Sequence, residues 1–482
     1  MTATLMNPVD LKGVRDAVLD SAGSLGVAGA GTAAGWAGAL QPVHAVLDLR
    51  ALTGVIAHNP GDMTVSVRAG TPLRELNAEL ADHGQHVAFD AARAADGATV
   101  GGLLATADAG PDALVHGSLR DLVIGTTLVL ADGTVARNGG HVIKNVAGYD
   151  LAKLVHGSYG TLAVVAEVVL RLHPLPRAVA TLVLPCTLDE AAGHAARILG
   201  GPYEPAALEW VSDPGALLVR LEGTAAALPE RVARLQELLG PAAVPVEGAS
   251  AAPADATAPS GTPGDGPSNG EAHSDAQAPD LAAASGASGA SGAAAGPGGH
   301  LSVDEAARLA FSRDERPGRR NRSDESAARR EPRAGSGTRA GTAAGATAGT
   351  TAGAGRADDP WAGHTRLTRG TLDDAVLRIG VRPSRLPGVL AGLPARSITA
   401  GLGTGVATVA LPADPAAVSA AHTAVHAAGG TSVLRSRPTG FDGPAWGPPP
   451  SALAVLRAVK KELDPTGRLG PGRFAPWLTE GA

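Results

Sequence analysis

The interval from about residue 241 to Asp359 sets the strongest limit on what this chain can fold into. It is dominated by Ala, Gly, Ser, Pro, Thr, Asp and Arg, with runs such as "ASGASGASGAAAGPGG" and "GTRAGTAAGATAGTTAGAGR". A stretch with so few large apolar groups cannot bury enough surface to offset its ordering entropy. Packed structure is therefore expected only before and after it. Inside it, "SVDEAARLAFSRDE" can place Val303, Ala307, Leu309 and Phe311 on one side of a short helix. The mixed-charge run "RPGRRNRSDESAARREPR" reads as a solvated linker, with an anion-binding arm as the alternative.

The whole chain has 482 residues, enough for two or three domains at about 100–200 residues each. Aromatic residues make up only 2%, so Ala, Val and Leu must fill the cores. A net charge of −6 argues against a nucleic-acid binder that relies on a global positive field. The single cysteine, Cys186, can neither close an intrachain disulfide nor hold an iron–sulfur cluster. The first residues, "MTATLMNPVDLKGVRD", lack the apolar core of a signal peptide, and no apolar run approaches the ~20 residues of a membrane helix. The expectation is a cytoplasmic protein without an integral membrane segment, able to attach to a membrane only through partners.

Strands and helices alternate in the N-terminal part. Leu11, Val14, Val18 and Leu19 share a side of an early helix, and "DMTVSVRAG" alternates as a strand does. Thr71 is placed as an N-cap, with Pro72 in the first turn of a helix bearing Leu73, Leu76 and Leu80. "DLVIGTTLVLADGTVAR" reads as strand, Asp132-Gly133 turn and return strand, and "TLAVVAEVVLRL" as a buried strand. Residues 178–240 and 371–437 give similar strand–helix sets on either side of the low-complexity interval. They are taken as one interrupted α+β domain, because two small separate cores are harder to stabilise.

Glycine clusters punctuate the first part. In "SLGVAGAGTAAGWAGAL", Gly29, Gly31 and Thr32 follow a strand-like "LGV". Closely spaced glycines let backbone N–H groups converge on an anion, a geometry suited to pyrophosphate. The spacing fits the dinucleotide pattern G-x-G-x-x-G only loosely, so a structural turn remains an equal reading. "ADGATVGGLLATADAGP" then supplies Thr99, Gly101 and Gly102, and "HGSLRDLVIG" supplies Ser118, Arg120 and Asp121. Such turns between strands suit an extended ligand with a pyrophosphate and a ring. Two of the three tyrosines, Tyr149 and Tyr159, fall in one segment, "GGHVIKNVAGYDLAKLVHGSYG".

The succession of the glycine loop, "VRAGTPLREL", "ATVGGLLATADAGP", "GSLRDLVIGTTLVLADG" and "KNVAGYDLAKLVHGSYGTLAVVAEV" resembles the PCMH-type FAD-binding domain of the vanillyl-alcohol oxidase and p-cresol methylhydroxylase superfamily. Within it, the sequence is most similar to the FAD-binding E subunits of glycolate oxidases. "KKELDPTGRLGPGRF" near the C-terminus resembles the family's closing segment. The resemblance covers roughly residues 7–240 and 371–475.

It implies an α+β fold: a two-lobed flavin domain over 1–176, then an α+β, ferredoxin-like cap over 177–240 and 361–482, interrupted by a disordered 241–360 insert. It implies non-covalent FAD, since the loop has no histidine to link it. Val27, Gly29, Ala30, Gly31 and Thr32 would wrap the pyrophosphate, and Thr99, Gly101 and Gly102 would approach it from the other lobe. Ser118 and Asp121 would lie along the flavin. Backbone groups from Gly160 to Val165 would meet its pyrimidine edge. Asp150 would anchor the loop backbone, and Lys144 would place a positive charge near the reduced flavin.

The resemblance further implies oxidation of glycolate or a related 2-hydroxy acid, in a complex with a second flavin subunit and an iron–sulfur subunit. Related dehydrogenases carry a metal-binding H-x-G-D-G-N-x-H string in the cap, which this sequence lacks. No metal is therefore expected. A non-catalytic assembly or electron-relay subunit is the alternative, as is an FAD-dependent oxidoreductase for another alcohol or a sugar. Lys144, His116 and His141 are the weak catalytic candidates. His422 and His426 are expected as an exposed helical pair, and His83 and His86 likewise as surface residues.

Overall fold

The computed structural model describes residues 3–142, 149–247 and 359–478. Lys144 and the helix expected around Val303 lie outside them.

The first lobe is built on a three-stranded parallel sheet in the order Thr4–Met6, Ala45–Asp48, Leu25–Ala28. Helix Leu11–Asp20 packs on it through Val14 and Val18, and Asp10 caps its first turn by accepting from Gly13 N at 2.7 Å. The second lobe is a five-stranded antiparallel sheet, ordered Val55–Asn59, Thr64–Arg68, Val164–Arg171, Val123–Val129, Val135–Gly139. Helix Leu73–Ala81 buries Leu73, Leu76 and Leu80 against it. Thr71 does not cap that helix. The helix begins after Pro72, and Thr71 Oγ1 instead accepts from Gly54 N at 2.9 Å, tying two loops together.

The cap is a single eight-stranded sheet. Residues before 248 contribute Val244–Glu247, Ala178–Pro185, Ala216–Gly223 and Ala207–Val211, in that spatial order. Residues after 358 continue it with Ser397–Gly401, Val406–Pro412, Asp374–Gly380 and Thr431–Ser436. Each side of the insert thus supplies a whole β-α-β-β-α-β unit. The units join edge to edge where Ala207–Val211 pairs antiparallel with Ser397–Gly401. The insert connects two complete units and splits neither of them.

Alternation along the strands makes the two faces of this sheet different. Leu377, Ile379, Val409, Leu434, Leu217 and Val219 enter one continuous apolar core under the helices. The opposite face presents Arg220, Glu209, Thr399, Arg378, Thr408 and Arg435 between them. Helix Pro360–Arg369 covers part of this polar face: Trp361 Nε1 donates to Thr181 Oγ1 at 2.8 Å, and His364 meets Glu209 at 3.3 Å.

The rest of the polar face sits on the two-lobed N-terminal domain. Arg220 binds Asp112 and, at 3.1 Å, Asp90. Arg369 reaches Asp96 at 3.1 Å and Arg435 reaches Asp108 at 2.7 Å. After helix Leu453–Leu463 the chain returns to the first lobe, where Leu469 bridges to Leu25. Buried Asp464 accepts from Leu469 N at 2.7 Å and from Lys460 Nζ, which also donates to Thr161 O at 2.7 Å. The C-terminal motif is therefore a lock behind the strand that carries the glycine loop.

Burial, together with the nearby Asp112, raises Asp90 to about 6. Asp90 therefore holds a proton more tightly folded than unfolded, and its contribution to stability falls as pH rises from about 4 to about 6. Replacing Arg220 with Met removes the cation that two half-buried carboxylates share. R220M is expected to lose about 1–3 kcal/mol at pH 8. The loss should be smaller at pH 5, where the orphaned carboxyls can take up protons. Urea unfolding at the two pH values reads both.

Candidate functional site

Strand Leu25–Ala28 delivers its C-terminal end to a cleft between the two lobes. From this side Val27, Gly29, Ala30, Gly31 and Thr32 line it. From the other lobe come Thr99, Gly101 and Gly102 at the start of helix Val100–Thr106, with Gly160 and Val165 beyond. Absent side chains allow this approach. A Cβ on Gly29 would sit 2.4 Å from Thr99 Oγ1, and one on Gly101 would sit 2.7 Å from Ala69 Cβ. The backbone N–H groups of Ala30, Gly31 and Thr32 meet no acceptor among the described residues. A turn with unengaged donors and no side chains in the way fits a pyrophosphate.

The same loop is held from behind. Arg473 Nη1 donates to the carbonyls of Ala34 and Trp36 at 2.9 and 3.0 Å. Arg437 donates to Gly35 O at 3.0 Å and to Ala37 O. One arginine comes from the C-terminal motif and the other from just beyond the last cap strand, so the loop's shape depends on the whole fold being assembled.

At the far end the cleft becomes polar. Arg93, Asp108 and Tyr159 line it. Arg435 reaches down from the cap to Asp108, with side chains 4% and 3% exposed. Its guanidinium lies 3.9 Å from the centre of the buried Trp36 ring, and that of Arg93 lies 4.6 Å from it. Arg93 also donates to Ser436 Oγ at 3.2 Å. Arg378 follows on the neighbouring strand. Burial and the charge of Arg435 lower it to about 10, so it remains a cation at neutral pH, and its guanidinium has no partner among the described residues.

Tyr159 sits at the turn into this region with φ of +52°, its N–H donating to Ala105 O at 2.7 Å. Its ring stands edge-on to Trp446 and Phe474. Burial raises its phenol despite nearby Arg435 and Arg378. It therefore serves as a neutral hydrogen-bond donor or acceptor and not as a base. Tyr149, in contrast, is 57% exposed. The two tyrosines that the sequence placed together part company in space.

Other expected residues lie elsewhere. Ser118 and Asp121 do not line the cleft. Ser118 N and Oγ donate to Asp121 Oδ2 at 2.9 and 3.1 Å, closing a capping box on helix Leu119–Leu122. Asp150 caps helix Leu151–Val155 through Lys153 N at 3.1 Å and pairs with Lys153 Nζ at 2.8 Å. His141 meets Thr64 Oγ1 at 2.8 Å across the end of the five-stranded sheet. His116 packs against His173, with ring centres 4.3 Å apart, and burial lowers it. Neither histidine lines the cleft.

His422 corrects the expectation of an exposed pair. It is 1% exposed and meets Ser432 Oγ at 2.6 Å and Pro444 O at 3.2 Å. Its helix packs on the core through Val418, Ala421 and Val425, which carries His422 inward with them. His426 stays exposed. Among the described residues no cluster of three or more His, Cys, Asp or Glu could hold a metal ion.

Sequence reasoning missed His156, although it stands inside the most specific motif. Burial and the charge of Arg378 lower it to about 4, and its Nε2 is buried without a partner. It also missed the Arg93–Arg378–Arg435 group. The available signal was an arginine at an alternate position of otherwise apolar strands, as in "DAVLRIG" and "TSVLRS".

Residues 17–139 match the family model described as an FAD binding domain. The chain is 38% identical over 177 residues to glycolate oxidase subunit GlcE of Escherichia coli (strain K12), covering 37% of this chain and 50% of that protein. It is 38% identical over 143 residues to a D-lactate dehydrogenase of Archaeoglobus fulgidus, covering 30% and 32%. It is 40% identical over 122 residues to glycolate oxidase subunit GlcD of Bacillus subtilis (strain 168), covering 25% and 26%. The matches span half or less of these relatives. Alkyldihydroxyacetonephosphate synthase shares the fold, with a TM-score of 0.53 and 14% identity over 97% of this chain and 75% of that one. The chain thus carries a PCMH-type FAD-binding domain homologous to those of glycolate oxidase subunits, and FAD is its cofactor.

Gly29→Ala forces a methyl against Thr99 Oγ1, an overpacking cost of about 1–3 kcal/mol that falls on the cofactor cradle. FAD affinity of G29A is expected to drop by about tenfold or more, and the added change Thr99→Ala should recover part of it. Titration of the apoprotein followed by flavin fluorescence measures both.

Proposed function

We propose that this chain, through its FAD-binding domain, takes part in oxidising a 2-hydroxy acid. FAD would supply a two-electron acceptor for the hydrogen at C2. The observation that carries the reading is the cationic group above the polar end of the cleft: Arg93, Arg378 and Arg435, with Asp108 paired to Arg435 and Asp96 acting on Arg93. Pairing with Asp108 uses Arg435, which leaves Arg378 to meet a substrate carboxylate in a low-dielectric setting where the attraction is strong. Tyr159, held neutral, would orient the hydroxyl or carboxylate by hydrogen bonding. Ala30 to Thr32, Thr99, Gly101, Gly102 and Gly160 would hold the diphosphate part of FAD non-covalently.

Assembly with a second flavin subunit and an iron–sulfur subunit belongs to the same reading. Its support is that two of the relatives are named as subunits of one kind of oxidase. The single cysteine fits this, because any cluster on the electron path would have to reside in a partner.

The purified chain is expected to be yellow, and anaerobic addition of glycolate or D-lactate should bleach it. Tyr159→Phe should slow the bleaching about tenfold to a hundredfold while the oxidised spectrum persists. A colourless protein that takes up no FAD, or a flavin that neither acid reduces even with partner subunits present, would refute the reading.

A further inference from the structure

The polar face of the cap does not end at the cleft. Between Arg378 and the C-terminal aromatic residues a crevice of about 450 Å³ opens, lined by Val433, Trp446, Pro448 and Trp477 as well as by Arg378 itself. This volume falls in the range of small-molecule sites, about 300–1,000 Å³.

The crevice has fixed walls. Trp446 is bridged to Val433 on the last cap strand, and its Nε1 donates to Arg473 O at 2.9 Å. It stacks on Phe474 at 4.8 Å and 11°, and lies 4.9 Å from Trp477. The edge of Tyr159 is 5.7 Å from Trp446, so the crevice and the polar end of the cleft share a wall. Arg378 stands at their boundary. It lines the crevice, and its charge acts on Tyr159. On the far side His422 spends both ring nitrogens on Ser432 and Pro444, and burial keeps it low, so it adds no competing charge there.

A site with one unpaired guanidinium at its mouth and indole and proline surfaces behind it is complementary to an amphiphilic anion. Glycolate carries only hydrogen where these surfaces lie and would leave them bare. Resting on the 2-hydroxy-acid reading above, we propose that the crevice binds the C2 substituent, and that the chain prefers 2-hydroxy acids with a large apolar or aromatic side chain over glycolate. Arg378 holds the carboxylate, and Trp446, Trp477 and Val433 enclose the side chain.

Anaerobic calorimetry of the FAD-loaded protein with glycolate, lactate, 2-hydroxy-4-methylpentanoate and 3-phenyllactate tests this. Affinity is expected to rise at least tenfold from glycolate to 3-phenyllactate. Arg378→Met should weaken every acid at least tenfold. Trp446→Ala, and independently Val433→Phe, which fills the crevice without removing a stacking partner, should each shrink the 3-phenyllactate to glycolate ratio at least fivefold. Glycolate binding as tightly as 3-phenyllactate, or a ratio that both variants leave unchanged, overturns the crevice assignment while the 2-hydroxy-acid reading stands. If none of the four acids binds or reduces the flavin, that parent reading falls, and this one with it.

Discussion

The buried pair between Arg435 and Asp108 is the constraint on which the architecture turns. Asp108 follows the helix that begins at Thr99, and Arg435 belongs to the last strand of the cap. They meet at 2.7 Å with almost no solvent access. A charge so placed is tolerable only when paired, and pairing requires the cap to seat in one position. The same guanidinium covers the face of Trp36, which belongs to the loop that continues from the glycine turn. One side chain therefore ties together the cofactor cradle, the cleft wall and the cap sheet. The desolvation cost that makes such a pair a weak source of stability makes it a strong source of specificity in domain placement.

That seating works because the cap sheet has two chemistries. Strand periodicity sends Leu377, Ile379 and Leu434 into a core of aliphatic side chains and turns Arg378 and Arg435 the other way. A slip of one residue in either strand would bury a guanidinium under the helices and place leucines over the cleft. Joining two four-stranded units edge to edge extends the polar face far enough to reach Asp90 at one end and Tyr159 at the other. Neither unit alone spans both. This gives a physical reason for the two halves to remain partners although residues 248–358 separate them in sequence.

What could be read from the sequence follows the distinction between local and distant determinants. Turns that need glycine are local, and Gly29, Gly101 and Gly160 announced a shared cleft before any coordinates did. The strand–helix sets of the cap were likewise visible, while Asp150, expected to anchor the loop backbone, caps the helix that follows it. Ser118 and Asp121 misled because a serine and an acid three apart also satisfy a helix start, and nothing in the string separates that use from ligand contact. Thr71 misled in the same way: a hydroxyl before a proline can cap a helix or tie down a loop, and Gly54 decided it. His422 looked surface-exposed because alanines hide the apolar side of its helix. Arg93, Arg378 and Arg435 come together only through tertiary pairing across hundreds of residues, which no local pattern encodes.

The shifted ionisable groups at the cleft and at the cap seat keep their charge states near neutral pH. Burial keeps His156 near 4, so it is neutral at physiological pH. Arg378 is lowered only to about 10, and Tyr159 is raised rather than lowered. Asp90, raised to about 6, sits at the cap seat and not beside the cleft. Between these limits Arg378 stays a cation above the cleft. On the proposed reading, selection for an anion would rest on geometry and desolvation, and the walls next to Arg378 would be what distinguishes one hydroxy acid from another.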